Sequence, residues 1–297
     1  MNALSNLKVR FLLNRIKSQQ YVSLLIFTCL TFSISLGTIL GISLGMSLPA
    51  KAAITPLRIA VASNFFPVLE KIIPQFTEQT QIKTQIISSA TGALFLQIKH
   101  GAPFDVFIAA DTKRPQQLKQ EQLLIPNSVH TYAYGQLALW SAFNESLTLT
   151  ALANVLSQKR FAIANPKIAP YGKAAKEVLT HVNLWSMYKN KFIMGTNINQ
   201  TFQQVRSKAV YAGIIANSQL RLNNLTGELI PETYYQPIEQ QMGVLTRSKN
   251  VEAAKQFQQF LLSESVQQQL INYGYRSGIT YPNSVNQIQS TKLNRAN

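Results

Sequence analysis

The sequence predicts an α/β fold in which mainly parallel sheets are covered by helices. Short apolar runs alternate along the chain with segments whose apolar residues recur at helical spacing, and this βαβα order is typical of parallel sheets. The hydrophobic fraction of 46% is sufficient to build packed cores. The length of 297 residues exceeds that of a usual single domain, so we expect two compact units.

The first half of the chain starts this alternation with a buried strand at 57–62 and a helix whose apolar positions run from Phe65 to Phe76. Pro67 suits the first turn of that helix. We expect Pro74 to kink the helix or end it early, because an interior proline removes a backbone hydrogen bond. The other elements predicted in this half are strands at 84–87, 105–109 and 134–140 and helices at 93–99 and 115–122.

The second half continues in the same order, without a linker rich in Pro, Gly or Ser. We therefore expect extended segments within 131–140 and 235–245 to cross between two lobes. From Arg276 the chain is polar and has no apolar period, so 276–297 is predicted to be a largely disordered tail. The elements predicted in this half are strands at 161–164, 191–193, 209–215 and 241–246 and helices at 151–156, 173–181, 201–207, 253–262 and 266–273.

The N-terminal segment, 1–52, has the features of a secretory signal. Residues 1–20 contain bases and no acid, 21–48 carry no charge, and the apolar stretch ends in Pro49-Ala50-Lys51-Ala52, a small-residue cleavage site. We expect cleavage after Ala52. The alternative is an uncleaved membrane anchor, because the uncharged stretch is long enough to span a bilayer. Either arrangement places the rest of the chain outside the cytoplasm.

Composition excludes several function classes. The net charge of +16 reflects 28 bases against 12 acids, but the bases form no dense run, so nucleic-acid binding is not predicted. The single cysteine, Cys29, lies in the N-terminal apolar stretch, which excludes a disulfide framework and a Cys-rich zinc site. An α/β hydrolase or transferase remains an alternative, although His100, His130 and His181 are too scattered to supply its base.

Four predicted strand-to-helix junctions share one design, in which a strand ends, a small polar or glycine-containing step follows, and a helix begins. The first N–H groups of a helix lack partners within it and carry partial positive charge, so each junction is a candidate anion site. In open α/β sheets ligands bind at these carboxyl ends of strands. The alternative is ordinary helix capping by Ser63, Thr91 and Asn197. The junctions are Ala62-Ser63-Asn64, Ala90-Thr91-Gly92, Ala169-Pro170-Tyr171-Gly172 and Gly195-Thr196-Asn197-Ile198.

Further fragments accompany these junctions in a fixed order, among them 88–94, 101–111, Asn165-Pro166 and Ala212-Gly213-Ile214-Ile215. Together, from Leu57 to Tyr275, they resemble the extracytoplasmic molybdate-binding proteins of ABC transporters. The resemblance implies a two-lobed type II periplasmic binding protein that closes on its ligand about a hinge. It implies one lobe from 56–133 plus 243–275 and another from 136–240.

The resemblance also implies the ligand set and the partners. Ser63 would supply its hydroxyl and N–H with Asn64 beside it, and the Thr91-Gly92 turn would complete the first lobe's side. The second lobe would offer the backbone N–H groups of Tyr171 and Ile198, so we expect Tyr171→Phe to be nearly neutral. The ligand would be molybdate or tungstate, bound by a monomer without a cofactor and delivered to an ABC permease with its ATPase subunit. A membrane-anchored oxyanion sensor is the alternative within the same family.

The chain departs from this pattern at two positions. Gly92 stands where some members of the family carry Ser, so the hydroxyl on that turn would come from Thr91. Ala216 stands where some members carry a ligand-binding Tyr. The resemblance therefore implies that one donor is missing, so that either Asn64 compensates or the site has fewer contacts.

Overall fold

The structure is a computed structural model that describes residues 55–143 and 147–279. The predicted signal at 1–52 and the tail from 280 onward lie outside the described residues. Within the two described ranges, none of the helices has the length and apolar character needed to cross a membrane.

The first lobe is built on a six-stranded mixed sheet. Strand β1 (Leu57–Ala62) is central and runs parallel to both β2 (Thr84–Ser89) and β3 (Val106–Ile108). Strand β10 (Ile238–Val244) continues the sheet antiparallel to β3 and pairs with β4 (His130–Gly135). The short strand β11 (Arg276–Ser277) closes this edge, which gives the order β11-β4-β10-β3-β1-β2.

The second lobe is built on a five-stranded sheet. Strand β6 (Phe161–Ala164) runs parallel to β7 (Ile193–Gly195) and β8 (Ala212–Ala216). Strand β5 (Leu137–Ser141) is antiparallel to β8 and to the edge strand β9 (Glu228–Leu229), in the order β7-β6-β8-β5-β9.

Helices cover both sheets. Those of the first lobe are α1 (Phe66–Thr80), α2 (Thr91–Lys99), α3 (Lys113–Gln120), α9 (Val251–Leu261) and α10 (Glu264–Asn272). The helices between the two points where the chain crosses from one sheet to the other are α4 (Leu152–Gln158), α5 (Pro170–His181), α6 (Trp185–Tyr188), α7 (Ile198–Arg206), α8 (Asn217–Leu222) and a 3-10 turn at Glu232–Tyr234.

The crossings lie within the two predicted segments, but their strands are divided differently. The single strand expected at 134–140 is two strands, because the chain leaves the first sheet after Gly135 and enters the second at Leu137. The return crossing precedes Ile238, and β10 pairs with the first sheet along its whole length. Residues 238–240, expected in the second lobe, therefore belong to the first sheet.

Two other expectations are wrong in part. Pro74 does not end helix α1 early, since the helix continues through it to Thr80. Pro74 and Glu70, whose carbonyl loses its partner, both lie on the exposed side, where water can hydrate that carbonyl. The first two residues of the segment expected to be disordered, Arg276 and Ser277, instead pair with Tyr134 and Ala133. Pairing of backbone groups requires no apolar period, which is why the sequence pattern missed this strand.

Candidate anion-binding site

All four junctions meet at one small cavity between the two sheets. Two of them follow the carboxyl ends of β1 and β2, and the other two follow those of β6 and β7. The cavity leaves the centre of a water molecule about 10 Å³ in which to move, so it is almost filled by its own walls. No charged side chain is among the residues that line it, which are Ala62, Ser63, Asn64, Ala90, Thr91, Ala110, Ala169, Pro170, Tyr171 and Ile198.

Four residues that line this cavity have backbone N–H groups available as donors. Thr91, Tyr171 and Ile198 lie in the first turns of α2, α5 and α7, where a helix leaves its N–H groups without internal partners. Asn64 lies in the turn that leads into α1. Within the described residues, none of these four N–H groups donates to a protein acceptor. Helices α5 and α7 begin three residues earlier than the sequence predicted, and this brings Tyr171 and Ile198 to the cavity.

Two hydroxyls complete the donor set. Thr91 Oγ1 accepts from the Ala110 N–H at 3.1 Å, which leaves its own proton available to a ligand. The Ser63 hydroxyl has no hydrogen-bond partner among the described residues, although Ser63 is 95% buried. The Ser63 N–H donates instead to the Ser89 carbonyl at 2.9 Å, extending the pairing of β1 with β2. Ser63 therefore offers its hydroxyl alone, in contrast to the expected pair of donors.

Gly92 and Ala216 do not reach the cavity. The Gly92 N–H crosses the cleft and donates to the Ile168 carbonyl at 3.0 Å. A Cβ at Gly92 would lie 2.9 Å from that carbonyl oxygen, so only glycine allows the two backbones this approach. Ala216 is fully buried and its N–H donates to Gln219 Oε1 at 3.1 Å. The Thr91-Gly92 turn thus contributes to the cavity through Thr91, and Gly92 joins the lobes.

Behind the cavity lies a buried polar group that we call the hinge cluster, formed by Asn64, Tyr132, Tyr171, Gln240 and Tyr275. Asn64 Nδ2 donates to Gln240 Oε1 at 2.8 Å and to the Tyr275 hydroxyl at 3.2 Å. The Tyr132 hydroxyl donates to Gln240 Oε1 at 2.9 Å, and Gln240 Nε2 donates to the Tyr171 hydroxyl at 3.3 Å. The Asn64 amide is thus occupied within the cluster, so Asn64 can serve a ligand only through its backbone N–H.

The phenols of the hinge cluster remain protonated in ordinary buffers. Burial raises the pKa of Tyr132 and Tyr171 well above 10, and it raises the pKa of Tyr275 to about 12. Sequence reasoning missed Tyr132, Gln240 and Tyr275, because these residues are distant in the chain and match no short motif. A polar glutamine within the apolar alternation of β10 was the one signal available.

The groups that a hydrolase would need are not at this cavity. The ring of His181 stacks on Tyr234 with centroids 4.1 Å apart, and His100 Nδ1 lies 2.8 Å from the Leu96 carbonyl. The buried Asp105 carboxylate accepts from the Arg58 N–H at 2.7 Å, and Asp111 forms an ion pair with Arg114. Across 55–143 and 147–279, no group of three His, Cys, Asp or Glu residues is arranged to hold a metal ion.

A sequence comparison assigns this two-lobed architecture to a family. Residues 57–276 match the family model of the bacterial extracellular solute-binding proteins. The chain belongs to this family. The α/β, two-lobed fold class expected from the sequence is confirmed, since solved solute-binding proteins share it.

The solute-binding relatives include two molybdate-binding proteins named ModA. The chain is 35% identical to that of Azotobacter vinelandii over 242 residues, which cover 79% of this chain and 95% of the relative. It is 32% identical to that of Rhodobacter capsulatus, covering 80% and 94%.

Solved structures that are similar to this chain include proteins of the same kind. The periplasmic molybdate-binding protein of Azotobacter vinelandii superposes with a TM-score of 0.68 at 32% identity, covering 74% of this chain and 98% of that one. The substrate-binding domain of a putative molybdenum ABC transporter from Clostridium difficile gives 0.59 at 30% identity, covering 75% and 98%. The sulfate-binding protein SubI of Mycobacterium tuberculosis, at 12% identity and a TM-score of 0.61, shares the fold alone.

Proposed function

We propose that this solute-binding protein captures molybdate, and tungstate with it, and delivers the anion to an ABC permease and its ATPase subunit. The observation that carries the proposal is the wall of the cavity, which presents N–H and O–H donors and no carboxylate. The family and the molybdate-binding relatives support the same ligand.

The chemistry of the ligand matches a wall made of donors. Molybdate is a tetrahedral dianion that carries no proton at neutral pH, so each of its oxygens only accepts hydrogen bonds. The N–H groups of Asn64, Thr91, Tyr171 and Ile198 and the hydroxyls of Ser63 and Thr91 are donors to such an ion. Hydrogen bonds to a charged acceptor are stronger than neutral ones, and three of the N–H groups add the positive end of a helix dipole.

The same wall disfavours phosphate and sulfate for different reasons. Phosphate keeps a proton near neutral pH, and that proton would face donors with no acceptor among the residues that line the cavity. Sulfate has no proton but is smaller than molybdate, so it cannot contact donors from both lobes at full strength. Tungstate is nearly the same size as molybdate, and the site should discriminate weakly between them.

Ligand entry requires the lobes to separate. The cavity in the present arrangement holds little more than a water molecule, and its walls come from both lobes. The chain crosses between the sheets next to Gly135 and again before Ile238, and both crossings are single extended segments. Small changes of backbone dihedral angles there are sufficient to open the cleft.

The location and partners follow from the same proposal. The predicted signal at 1–52 exports the chain, and removal of that segment leaves a monomeric receptor outside the cytoplasm with a net charge of +11, which favours the approach of small anions. No resident cofactor is needed, because the anion is cargo.

Titration calorimetry of the exported chain against four oxyanions tests the proposed function. We expect molybdate and tungstate to bind at one site with similar affinity, sulfate to bind about 100-fold more weakly, which is about 2.7 kcal/mol, and phosphate to bind more weakly still. Equal competition by sulfate would leave an oxyanion receptor but reject molybdate as its ligand. Failure of all four anions to bind would reject the proposal.

A further inference from the structure

The side chain of Tyr171 points away from the cavity that its backbone lines. Its N–H is one of the unpartnered donors, whereas its hydroxyl lies within the hinge cluster, 3.3 Å from Gln240 Nε2 and 3.5 Å from Asn64 Nδ2. The residue is 98% buried. Tyr171 therefore connects the ligand cavity directly with the polar group at the hinge.

The hinge cluster draws its members from both sides of the hinge. Asn64, Tyr132 and Tyr275 belong to the first lobe, and Gln240 lies on β10, just after the return crossing. Tyr171 comes from α5 of the second lobe. The pairing of β10 with β4 shifts register between Gln240 and Gln241, and an irregularity of this kind re-aims side chains. Gln240 is fully buried, and both ends of its amide are used.

Gly135 makes room for this contact at the other crossing. A Cβ at Gly135 would lie 2.1 Å from the Tyr171 hydroxyl oxygen and 2.8 Å from Gln240 Nε2. The φ angle of Gly135 is not in the left-handed region, so its backbone conformation does not require glycine. The space taken by the Tyr171 phenol does require it.

We propose that Tyr171 is a positioning residue whose phenol holds the lobes closed while its backbone N–H binds the anion. The hydroxyl fastens the start of α5 to Gln240 at the hinge, and it reaches that place because Gly135 has no side chain. In the closed arrangement the hydrogen bond from Gln240 keeps the Tyr171 N–H directed into the cavity. When the lobes separate, that bond breaks together with the contacts to the ligand. The inference rests on the proposed oxyanion function and adds to it a residue that controls release.

This inference corrects the expectation that Tyr171→Phe is nearly neutral. That expectation treated the side chain as exposed, whereas it is buried and hydrogen-bonded. Loss of the hydroxyl leaves Gln240 Nε2 without an acceptor in a buried place, which destabilises the closed state.

Stopped-flow measurement of molybdate association and dissociation tests the inference. We expect Tyr171→Phe to raise the dissociation rate about three- to tenfold, the scale of one hydrogen bond, and to change the association rate less than about twofold, because association starts from the open form. Gly135→Ala, which displaces the phenol, should raise the dissociation rate at least as much.

Tyr132→Phe is the matched control, since it removes a phenol of the same cluster whose partners, Gln240 and the Ala109 carbonyl, lie in the first sheet or at its edge. It should lower the melting temperature and leave the dissociation rate within about twofold.

A double-mutant cycle separates positioning from direct contact with the anion. Gln240 does not line the cavity, so Gln240→Met acts only through the cluster. We expect the Tyr171→Phe/Gln240→Met variant to release molybdate at the rate of Gln240→Met alone. If the two substitutions raised the dissociation rate by independent factors that multiply in the double variant, the phenol would contact the anion directly, and the inference would be overturned. A Tyr171→Phe dissociation rate equal to that of the wild type would also overturn it. A wild-type chain that binds no oxyanion would reject the proposed function and this inference with it.

Discussion

The backbone N–H of Gly92 donates to the carbonyl of Ile168 at 3.0 Å, and this bond joins the two lobes directly beside the ligand cavity. Gly92 follows Thr91, and Ile168 is two residues before Pro170, so the bond lies between two of the four junctions. Closure of the lobes therefore depends on the close approach of these two backbones as well as on the ligand.

Gly92→Ala should weaken molybdate binding by about 1–3 kcal/mol, the usual effect of an added methyl group in a tightly packed place. The new Cβ would lie 2.9 Å from the Ile168 oxygen and 3.1 Å from Arg114 Nη2, so the lobes could not close fully. Calorimetry gives the affinity. Gly243→Ala is a suitable control, because the three atoms nearest to its new Cβ all belong to the side chain of Leu124, within the first lobe. Equal affinities for Gly92→Ala and the wild type would show that the closed arrangement does not depend on this approach.

Ser63→Ala should weaken molybdate binding by about 1–3 kcal/mol, because it removes a hydroxyl donor to a charged acceptor in a closed site. The unfolding midpoint of the ligand-free protein should change little, since the hydroxyl has no partner among the described residues. His181→Ala serves as the control, because His181 stacks on Tyr234 outside the cavity. A His181 variant that binds less tightly than the Ser63 variant would contradict the assignment of the site.

The stability of the protein should fall as the pH rises from about 10 to about 12. Burial raises the pKa of Tyr275 from 10.0 to about 12, and the pKa values of Tyr132 and Tyr171 are raised in the same direction. In this window the unfolded chain releases phenol protons that the folded protein retains, so stability is fully present below pH 10 and decreases by up to about 1.4 kcal/mol per pH unit for each such tyrosine.

Urea unfolding at several alkaline pH values measures this slope. Tyr275→Phe should make the slope shallower, because it removes one of the phenols whose pKa is raised by burial. A pH-independent free energy of unfolding across this range would mean that the phenols are not buried as the structure places them.

The N-terminus of the exported protein should begin at Ala53. The basic start, the uncharged stretch and the site at Ala50-Lys51-Ala52 predict cleavage there. Intact-mass spectrometry of protein recovered from outside the cytoplasm distinguishes a chain that begins at Ala53 from the full-length chain. A mass that includes 1–52 would favour the anchored arrangement and the sensor alternative.

Much of the fold followed from the sequence because buried strands and amphipathic helices leave periodic signals. Strand β1 was predicted with its observed bounds, and five of the six predicted ligand residues line the cavity, namely Ser63, Asn64, Thr91, Tyr171 and Ile198. The sixth, Gly92, does not line it.

What the sequence did not reveal depends on tertiary contacts. The continuation of α1 past Pro74 depends on which face is exposed, and β11 depends on backbone pairing with β4. The members of the hinge cluster are spread along the chain from Asn64 to Tyr275, so no local sequence pattern predicts the cluster. The occupation of the Ser63 and Gly92 N–H groups by other carbonyls is likewise visible only after the strands and lobes are assembled.

A crystal structure of the exported chain with molybdate, with the metal located by its anomalous scattering, tests the central claim most directly. The account predicts one molybdenum position in the cavity between the lobes. The molybdate oxygens should lie within about 3.2 Å of the N–H nitrogens of Asn64, Thr91, Tyr171 and Ile198 and of the hydroxyl oxygens of Ser63 and Thr91. The Tyr171 hydroxyl should remain hydrogen-bonded to Gln240. A molybdenum position elsewhere, such as beside Lys113 and Lys167 in the neighbouring cleft, or an anion held by the Tyr171 phenol, would contradict it.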